Sequence, residues 1–334
     1  MPGEPITIIV PTYNRAHLIA RALKSVANQC LPQDEVIVVD DASTDDTERV
    51  VSDFPGVRYE RITHGGAGKA RNTGVSLARH SLVAFLDSDD ELLPGTLDCR
   101  RALMGARKDL TFCFTNFSGQ ADDGPIEPAC LIYWSHDPRD WGAILSPGRP
   151  LSDIVPHRCQ ADPLVHVGSI YRDQMANSYV AANTIVVNRD NAGDALRFPE
   201  DLPTYEDWEC FGRLAGSGPC AFLAFDSAIQ HRHGGPRLTD AKREVEVRTR
   251  LKILARVWGS DTEFMATYAT DYERVCTEQR LLGARVLILD GRLKEARDLL
   301  SRVPGGPLWA RLARRVPVPR AVLTAWKAMR HWRG

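Results

Sequence analysis

Apolar and polar positions in the first part of the chain fall into two alternating rhythms. The runs Ile6-Thr7-Ile8-Ile9-Val10, Val36-Ile37-Val38-Val39, Val57-Arg58-Tyr59-Glu60 and Leu82-Val83-Ala84-Phe85-Leu86 predict strands, the first of them closed by Pro11. Between them apolar residues recur at helical spacing, as at Leu18, Ile19, Ala22, Leu23 and Val26, a helix that Asn14 is placed to cap. Ser43 ahead of Asp46 has the form of a capping box, and Gly65-Gly66-Ala67-Gly68 leads into a helix from Lys69 to about Ala78. Continuous apolar strands separated by helices predict a parallel sheet covered on both faces. Ligands bind such sheets beyond the carboxyl ends of the strands, where Asp40-Asp41 and Asp87-Ser88-Asp89-Asp90 both fall.

From Gly119 to Arg172 the pattern dissolves among prolines, which predicts a loop-rich insertion walling the acceptor side of the site. Order returns with a strand over Ala182–Val187, a helix near Asp207 to Leu214 and a strand over Ala221–Phe225. Beyond Pro236 the chain reads as helical, with Asp261 to Ile288 and Arg292 to Val303 hinged at Asp290-Gly291. The expected organisation is a catalytic domain over 1–236, with its insertion at 119–172, and a helical region over 237–334.

Composition changes this picture little: 334 residues, 43% hydrophobic and 25% charged, describe an ordinary folded protein. A formal net charge of -1 excludes a wholly basic nucleic-acid binder. It conceals a basic tail, however, in which Arg311, Arg314, Arg315, Arg320, Lys327, Arg330 and Arg333 meet no acidic residue after Pro304. With Trp309, Val322, Trp326 and Met329, this tail reads either as an amphipathic helix on an anionic membrane or as a helix packed on the domain. The eight cysteines lack CxxC or zinc-finger spacing and read as buried free thiols of a reducing compartment. No leader precedes Ile6, and no apolar run reaches the about 18 residues a spanning helix needs. The expectation is a cytoplasmic protein, peripheral on the inner face of the membrane if the tail docks there rather than packing on the domain.

Five motifs carry the chemistry. Val10-Pro11-Thr12-Tyr13-Asn14-Arg15, Val38-Val39-Asp40-Asp41-Ala42-Ser43-Thr44-Asp45, Ala70-Arg71-Asn72-Thr73-Gly74, Phe85-Leu86-Asp87-Ser88-Asp89-Asp90 and Tyr205-Glu206-Asp207-Trp208-Glu209 together resemble family 2 glycosyltransferases of the GT-A fold. Each motif alone is unspecific; their family order and spacing, over residues 4 to 235, are specific. The resemblance implies an α/β fold, a Rossmann-like mostly parallel sheet sandwiched by helices, with a helical C-terminal extension. It also implies inverting transfer of a sugar from a UDP-, GDP- or dTDP-linked donor to an acceptor hydroxyl, with Mn2+ or Mg2+ as cofactor.

By the same resemblance Asp89 is the metal ligand, Asp87 meets the ribose or supports the metal, Ser88 belongs to the donor-binding turn, and Asp90 supports it from behind. The plain alternative is that these residues only turn the chain. Three crowded carboxylates without a cation would, however, repel one another. Asp41 resembles the residue that accepts a hydrogen bond from the nucleobase, and Pro11 and Thr12 the nucleobase wall. The alternative for Asp40 and Asp41 is that they favour the next helix's dipole. Gly68 and Arg71, with Lys69, suit close backbone approach and a cation facing phosphate; the loop lacks the Gly-x-Gly-x-x-Gly and Walker arrangements.

Asp207 resembles the general base that takes the acceptor proton, with Glu206 as its backup; the alternative is a helix cap with Thr204. His231-Arg232-His233-Gly234-Gly235 resembles a loop closing over the donor, Arg232 holding the diphosphate and a histidine, His233 in preference, reaching the metal. Two rivals remain. A sugar-phosphate nucleotidyltransferase would carry a Gly-rich, Arg-containing loop where Pro11-Thr12-Tyr13-Asn14 stands, and a non-catalytic nucleotide-sugar-binding module would not need Asp207. No Gln-x-x-Arg-Trp motif follows the last strand, which favours single additions over polymer extrusion.

Overall fold

The β-branched runs build the strands their pattern predicts. The structure, a computed structural model, describes residues 3–121, 124–131, 140–157, 159, 161–232, 242–303 and 305–315. β1 (Ile6–Thr12), β2 (Glu35–Asp40), β3 (Val57–Arg61) and β4 (Leu82–Phe85) pair in parallel in the order β3-β2-β1-β4. Helices α1 (Ile19–Ala27), α2 (Thr47–Ser52) and α3 (Gly66–Leu77) connect them. Ile8, Ile9, Val10, Ile37, Val38 and Val83 expose no surface, as continuous apolar strands in a covered sheet should. Burying each such side chain is worth about 1.5–3 kcal/mol, which makes these strands the anchor for everything at their carboxyl ends.

Beyond β4 the sheet is mixed rather than mostly parallel. β10 (Val186–Asn188) runs antiparallel to both β4 and β6 (Phe112–Ala121). β11 (Cys220–Arg232) is parallel to β6 and antiparallel to β9 (Leu164–Gly168), which β8 (Arg149–Pro150) flanks. The short β5 (Glu91–Leu92) pairs with β11, and β7 (Ile126–Glu127) with β6. A buried apolar strand reads alike whichever way its neighbours run, so strand direction was not visible in the pattern. The insertion is also less loop-like than expected, because its β9 joins the central sheet and Trp141 stacks on Phe222 of β11 at 4.1 Å.

Several local expectations are corrected. Pro11 does not end β1: it pairs in register with Val39, on a strand whose β4 neighbour has already stopped, so its missing N–H leaves no ladder bond unmade. Asn14 caps no helix; it has φ of +52° and ties the ends of β1 and β2 together, while α1 starts at Ile19. Ser43 opens no capping box, since its hydroxyl accepts from Asn14 N and α2 starts only at Thr47. Ala182–Thr184 is a 3-10 turn leading into the short β10. Cys99 of α4 (Thr96–Ala106) and Cys159 of the insertion form a disulfide, Cα–Cα 5.5 Å, where all eight cysteines were expected free. The two are 60 residues apart, a separation that carries no pairing signal. Cys30, Cys113, Cys130, Cys210, Cys220 and Cys276 are free thiols.

Contacts divide the chain into one unit of Met1–Asp201 with Glu206–Gly235 and a second of Leu202–Tyr205 with Pro236–Gly334. The second contains helices over Arg243–Val257, Thr262–Leu289, Leu293–Ser301 and Leu308–Arg315. Ala284, Leu287, Ile288, Ala296, Leu300 and Ala310 form a core there, and Gly291, at φ +79°, turns the chain between the second and third of those helices. His233 and residues 316–334, with most of the basic tail, lie outside the described residues. Among the described residues no helix is long and apolar enough to cross a membrane.

Candidate active site

The carboxyl ends of β1, β2 and β4 and the start of the Glu206–Ser217 helix bring the expected residues to one side of the sheet. Asn14 N donates to Ser43 Oγ at 2.8 Å and Thr44 N to Asn14 Oδ1 at 2.7 Å, which fixes the β1 and β2 loops to each other. Asp40 is fully buried, accepting from Ser43 N at 2.8 Å and from the Tyr59 hydroxyl, with Arg61 at 4.0 Å. Asp41 accepts from Gly65 N at 2.7 Å and Gly66 N at 2.8 Å, and His64 Nδ1 stands 2.9 Å from it. The Asp41 carboxylate therefore also caps the N-terminus of α3, a role the sequence did not suggest. Its Oδ1, which accepts from Gly65 N alone, retains a second lone pair for a ligand. Nearby, Thr12 Oγ1 is buried without a hydrogen-bond partner among the described residues.

Gly68 and Arg71 are where the structure departs furthest from the phosphate-cradle expectation. A Cβ on Gly68 would stand 2.6 Å from the carbonyl oxygen of Pro199, so packing alone requires a glycine there. Arg71 is buried and directs Nη1 to Glu206 Oε1 and Nη2 to Asp87 Oδ1, both at 2.7 Å, while its guanidinium lies over the Phe198 ring. Against the penalty of burial, Asp87 and Glu206 hold this guanidinium more firmly cationic than usual. Its charge is thus engaged by two carboxylates, and it ties the end of β4 to the start of the Glu206–Ser217 helix.

The acidic turn after β4 closes through Asp90 N to Asp87 O at 3.0 Å. Burial pushes the Asp87 carboxyl up, Arg71 opposing and Asp89 adding to it. Burial, then Asp87 and Asp89, push Asp90 up well beyond the ordinary range. Asp90 accepts from Asn183 Nδ2 at 2.7 Å and from His231 N at 3.3 Å, so it anchors the turn to β11. Asn183 carried no sequence signal, because it sits inside a run that reads as strand. Asp87 and Asp89 are partly exposed, 35% and 22%; Arg15 Nε lies 4.0 Å from the Asp89 carboxylate and Arg21 Nη2 donates to its backbone carbonyl at 2.7 Å.

A turn that crowds three carboxylates is suited to a hard divalent cation. Asp87 and Asp89 are oxygen donors of the right kind, and such an ion completes its shell with phosphate and water. No group of three or more metal-binding side chains occurs among the described residues. His231 Nε2 stands 3.2 Å from Glu91 Oε2, and burial lowers its pKa. Arg232, the exposed end of β11, pairs in register with Ala121.

Asp207 lies in the first turn of its helix, half-buried, accepting from Trp208 N at 2.7 Å. Burial, then neighbouring Glu206, push its carboxyl up to about 7, with Arg71 opposing. A base poised near neutral pH is well matched to taking a proton from a hydroxyl. The helix opens at Glu206, which leaves Thr204 outside the capping position. Tyr205, just before it, has φ of +62°, a conformation that costs a non-glycine residue on the order of 1–3 kcal/mol.

A mixed α/β sheet with acidic residues at its strand ends is the architecture of GT-A enzymes. A family model described as "Glycosyl transferase family 2" matches residues 7–139. It is 28% identical over 212 residues to the putative teichuronic acid biosynthesis glycosyltransferase TuaG of Bacillus subtilis, covering 60% of this chain and 70% of that protein. For other relatives the matched stretch spans less of their length, 45% and 32% in two cases. The structure of TarS residues 1–349 from S. aureus in complex with UDP superposes with a TM-score of 0.62 at 20% identity, covering 98% of this chain and 92% of that one. The mannosyltransferase PcManGT from Pyrobaculum calidifontis, in complex with GDP-Man and Mn2+, superposes with a TM-score of 0.55 at 18% identity, covering 99% and 81%.

Proposed function

We propose that the chain transfers a sugar from a nucleotide-diphosphate donor to an acceptor hydroxyl in one in-line displacement with inversion. The observation that carries this reading is the Asp87–Arg71–Glu206 bridge, which fastens the acidic turn to the helix bearing Asp207. Pro11 and Thr12 wall the nucleobase and Asp41 accepts from it, the unpartnered Thr12 hydroxyl being available to the ligand. Asp87 meets the ribose, and Asp89 with Asp87 holds Mn2+ or Mg2+. When bound, that ion neutralises charge on the departing diphosphate. The Asp207 carboxylate takes the acceptor's proton as the acceptor oxygen bonds to the anomeric carbon. The diphosphate leaves with the electrons of its bond to the sugar.

Donors linked to UDP, GDP or dTDP fit this site, and the UDP and GDP-Man complexes of the structural neighbours support the first two. The relation to TuaG supports an acceptor in cell-envelope glycan synthesis. The insertion walls the acceptor side, and Arg232 holds the diphosphate. The deciding experiment is Asp207→Asn. Donor binding, followed as a thermal shift with UDP and Mn2+, stays at the wild-type level while transfer is abolished; transfer at the wild-type rate would remove Asp207 from the mechanism.

A further inference from the structure

The acidic turn is pinned from behind by a residue outside its own motif. β10 enters the sheet antiparallel to β4 with Val186 opposite Ala84, so the 3-10 turn Ala182–Thr184 that precedes it lies beside the acidic turn that follows β4. There Asn183 Nδ2 donates to Asp90 Oδ2 at 2.7 Å, while His231 N of β11 donates to Asp90 Oδ1 at 3.3 Å. Asp90 N in turn donates to Asp87 O at 3.0 Å. Both oxygens of the buried Asp90 carboxylate are thus held by N–H donors of two other elements, and the backbone that presents Asp87 and Asp89 is fixed through it. The turn carrying Asn183 is itself fastened: Thr184 Oγ1 donates to Ala181 O at 2.8 Å, and the fully buried Arg100 donates from Nη1 to Thr184 O at 3.4 Å. Asn183 Oδ1 is buried without a hydrogen-bond partner among the described residues. An unpaired buried amide oxygen costs stability, so what the asparagine contributes is its N–H end, directed at Asp90.

We propose that Asn183 is a positioning residue for the divalent cation: through Asp90 it holds the acidic turn in the shape that aims the Asp87 and Asp89 carboxylates at one ion. The inference rests on those two carboxylates holding the ion, as proposed above. Asn183 acts on them through the turn and does not itself ligate. Removing an outer partner of this kind typically lowers metal affinity about 10–100-fold.

The test titrates the full chain with Mn2+ in the presence of whichever of UDP and GDP raises the wild-type melting temperature more. Loss of the free Mn2+ electron paramagnetic resonance signal reports binding, with protein-free nucleotide as the blank. Asn183→Leu, close in shape but without the amide, should weaken Mn2+ about tenfold while the same nucleotide in chelator binds within about twofold of wild type. Exchanging the two residues, Asp90→Asn with Asn183→Asp, restores an amide–carboxylate bond of opposite sense and should recover most of the Mn2+ affinity. Should Asn183→Leu fail to fold, Asn183→Ala carries the same expectation. Wild-type Mn2+ affinity in the single variant, a loss that the exchange does not repair, or an equal weakening of nucleotide binding in chelator overturns the inference. Asp89→Ala measured in parallel separates the two failures. A wild type that binds no Mn2+ with either nucleotide, or an Asp89→Ala that binds it as wild type does, defeats the metal site proposed above and this inference with it. Asp89→Ala without Mn2+ binding beside an unperturbed Asn183→Leu defeats the inference alone.

Discussion

Asp87 and Glu206 share a single guanidinium: Arg71 donates to each at 2.7 Å through a different terminal nitrogen. The two carboxylates come from opposite sides of the site, one from the end of β4 and one from the start of a helix far along the chain. Their separation is therefore set by the width of one planar fork.

Arg71→Ala should destabilise the fold by about 3 kcal/mol, the low end for breaking a buried pair, because Asp87 keeps partial access to water. Arg71 and Glu206 are the more deeply enclosed partners, their side chains 5% and 9% exposed. Arg71→Lys should recover part of the stability and little of the activity, since an ammonium cannot span both carboxylates in one plane. Chemical denaturation and donor hydrolysis measured on the same preparations check this; a lysine variant of wild-type activity would show that the fork is dispensable.

The rate should rise with pH to a plateau above about 7. Asp207 acts as a base only when deprotonated, and its carboxyl is held up to about 7 by burial and by Glu206. Below that value the protonated fraction grows and kcat falls tenfold per pH unit. A pH–rate profile at saturating donor checks the sign; a rate that climbs as the pH falls below 7 would assign Asp207 to a different task.

UDP with Mn2+ at about a hundred times its dissociation constant should add about 2.7 kcal/mol of stability to the wild type. Asp89→Ala should lose the metal-dependent part of that gain, because a carboxylate proposed to hold the ion, and one not engaged by Arg71, is removed. Thermal shifts with Mn2+, Mg2+ and chelator measure it. An undiminished metal-dependent shift in the variant would move the ion away from Asp89.

Gly68→Ala should lower stability by about 1–3 kcal/mol, the range of an overpacked site. The added Cβ meets the backbone carbonyl of Pro199, which cannot swing aside as a flexible side chain would. A melting temperature equal to wild type would mean that the loop relaxes freely and that the glycine serves another purpose.

What was legible in the sequence follows from what each signal depends on. The strand positions were visible because burial on both faces demands an unbroken apolar run, and the acidic residues were visible because they follow those runs directly. Partners chosen by tertiary approach were not. Asn14 and Ser43 have the chemistry of helix caps, but here Ser43 Oγ accepts from Asn14 N and Asn14 Oδ1 from Thr44 N across two loops, a choice local sequence does not contain. The Arg71 guanidinium looked ready for phosphate because a cation near glycines often is; its distant partner Glu206 became apparent only once the helix was placed. The strand β9 was hidden because His166 interrupts its apolar residues and Pro163 precedes it, so that Leu164–Gly168 resembled the loops around it.

That strand has a consequence for how the protein can be altered. β9 pairs with β11 from Gly168 opposite Cys220 to Val165 opposite Leu223, and so covers a long flank of β11. Excising the insertion to exchange it for another would bare a hydrophobic sheet edge, the kind that recruits other chains. Any segment grafted in place of the insertion must therefore bring its own edge strand, or solubility is lost with the exchange.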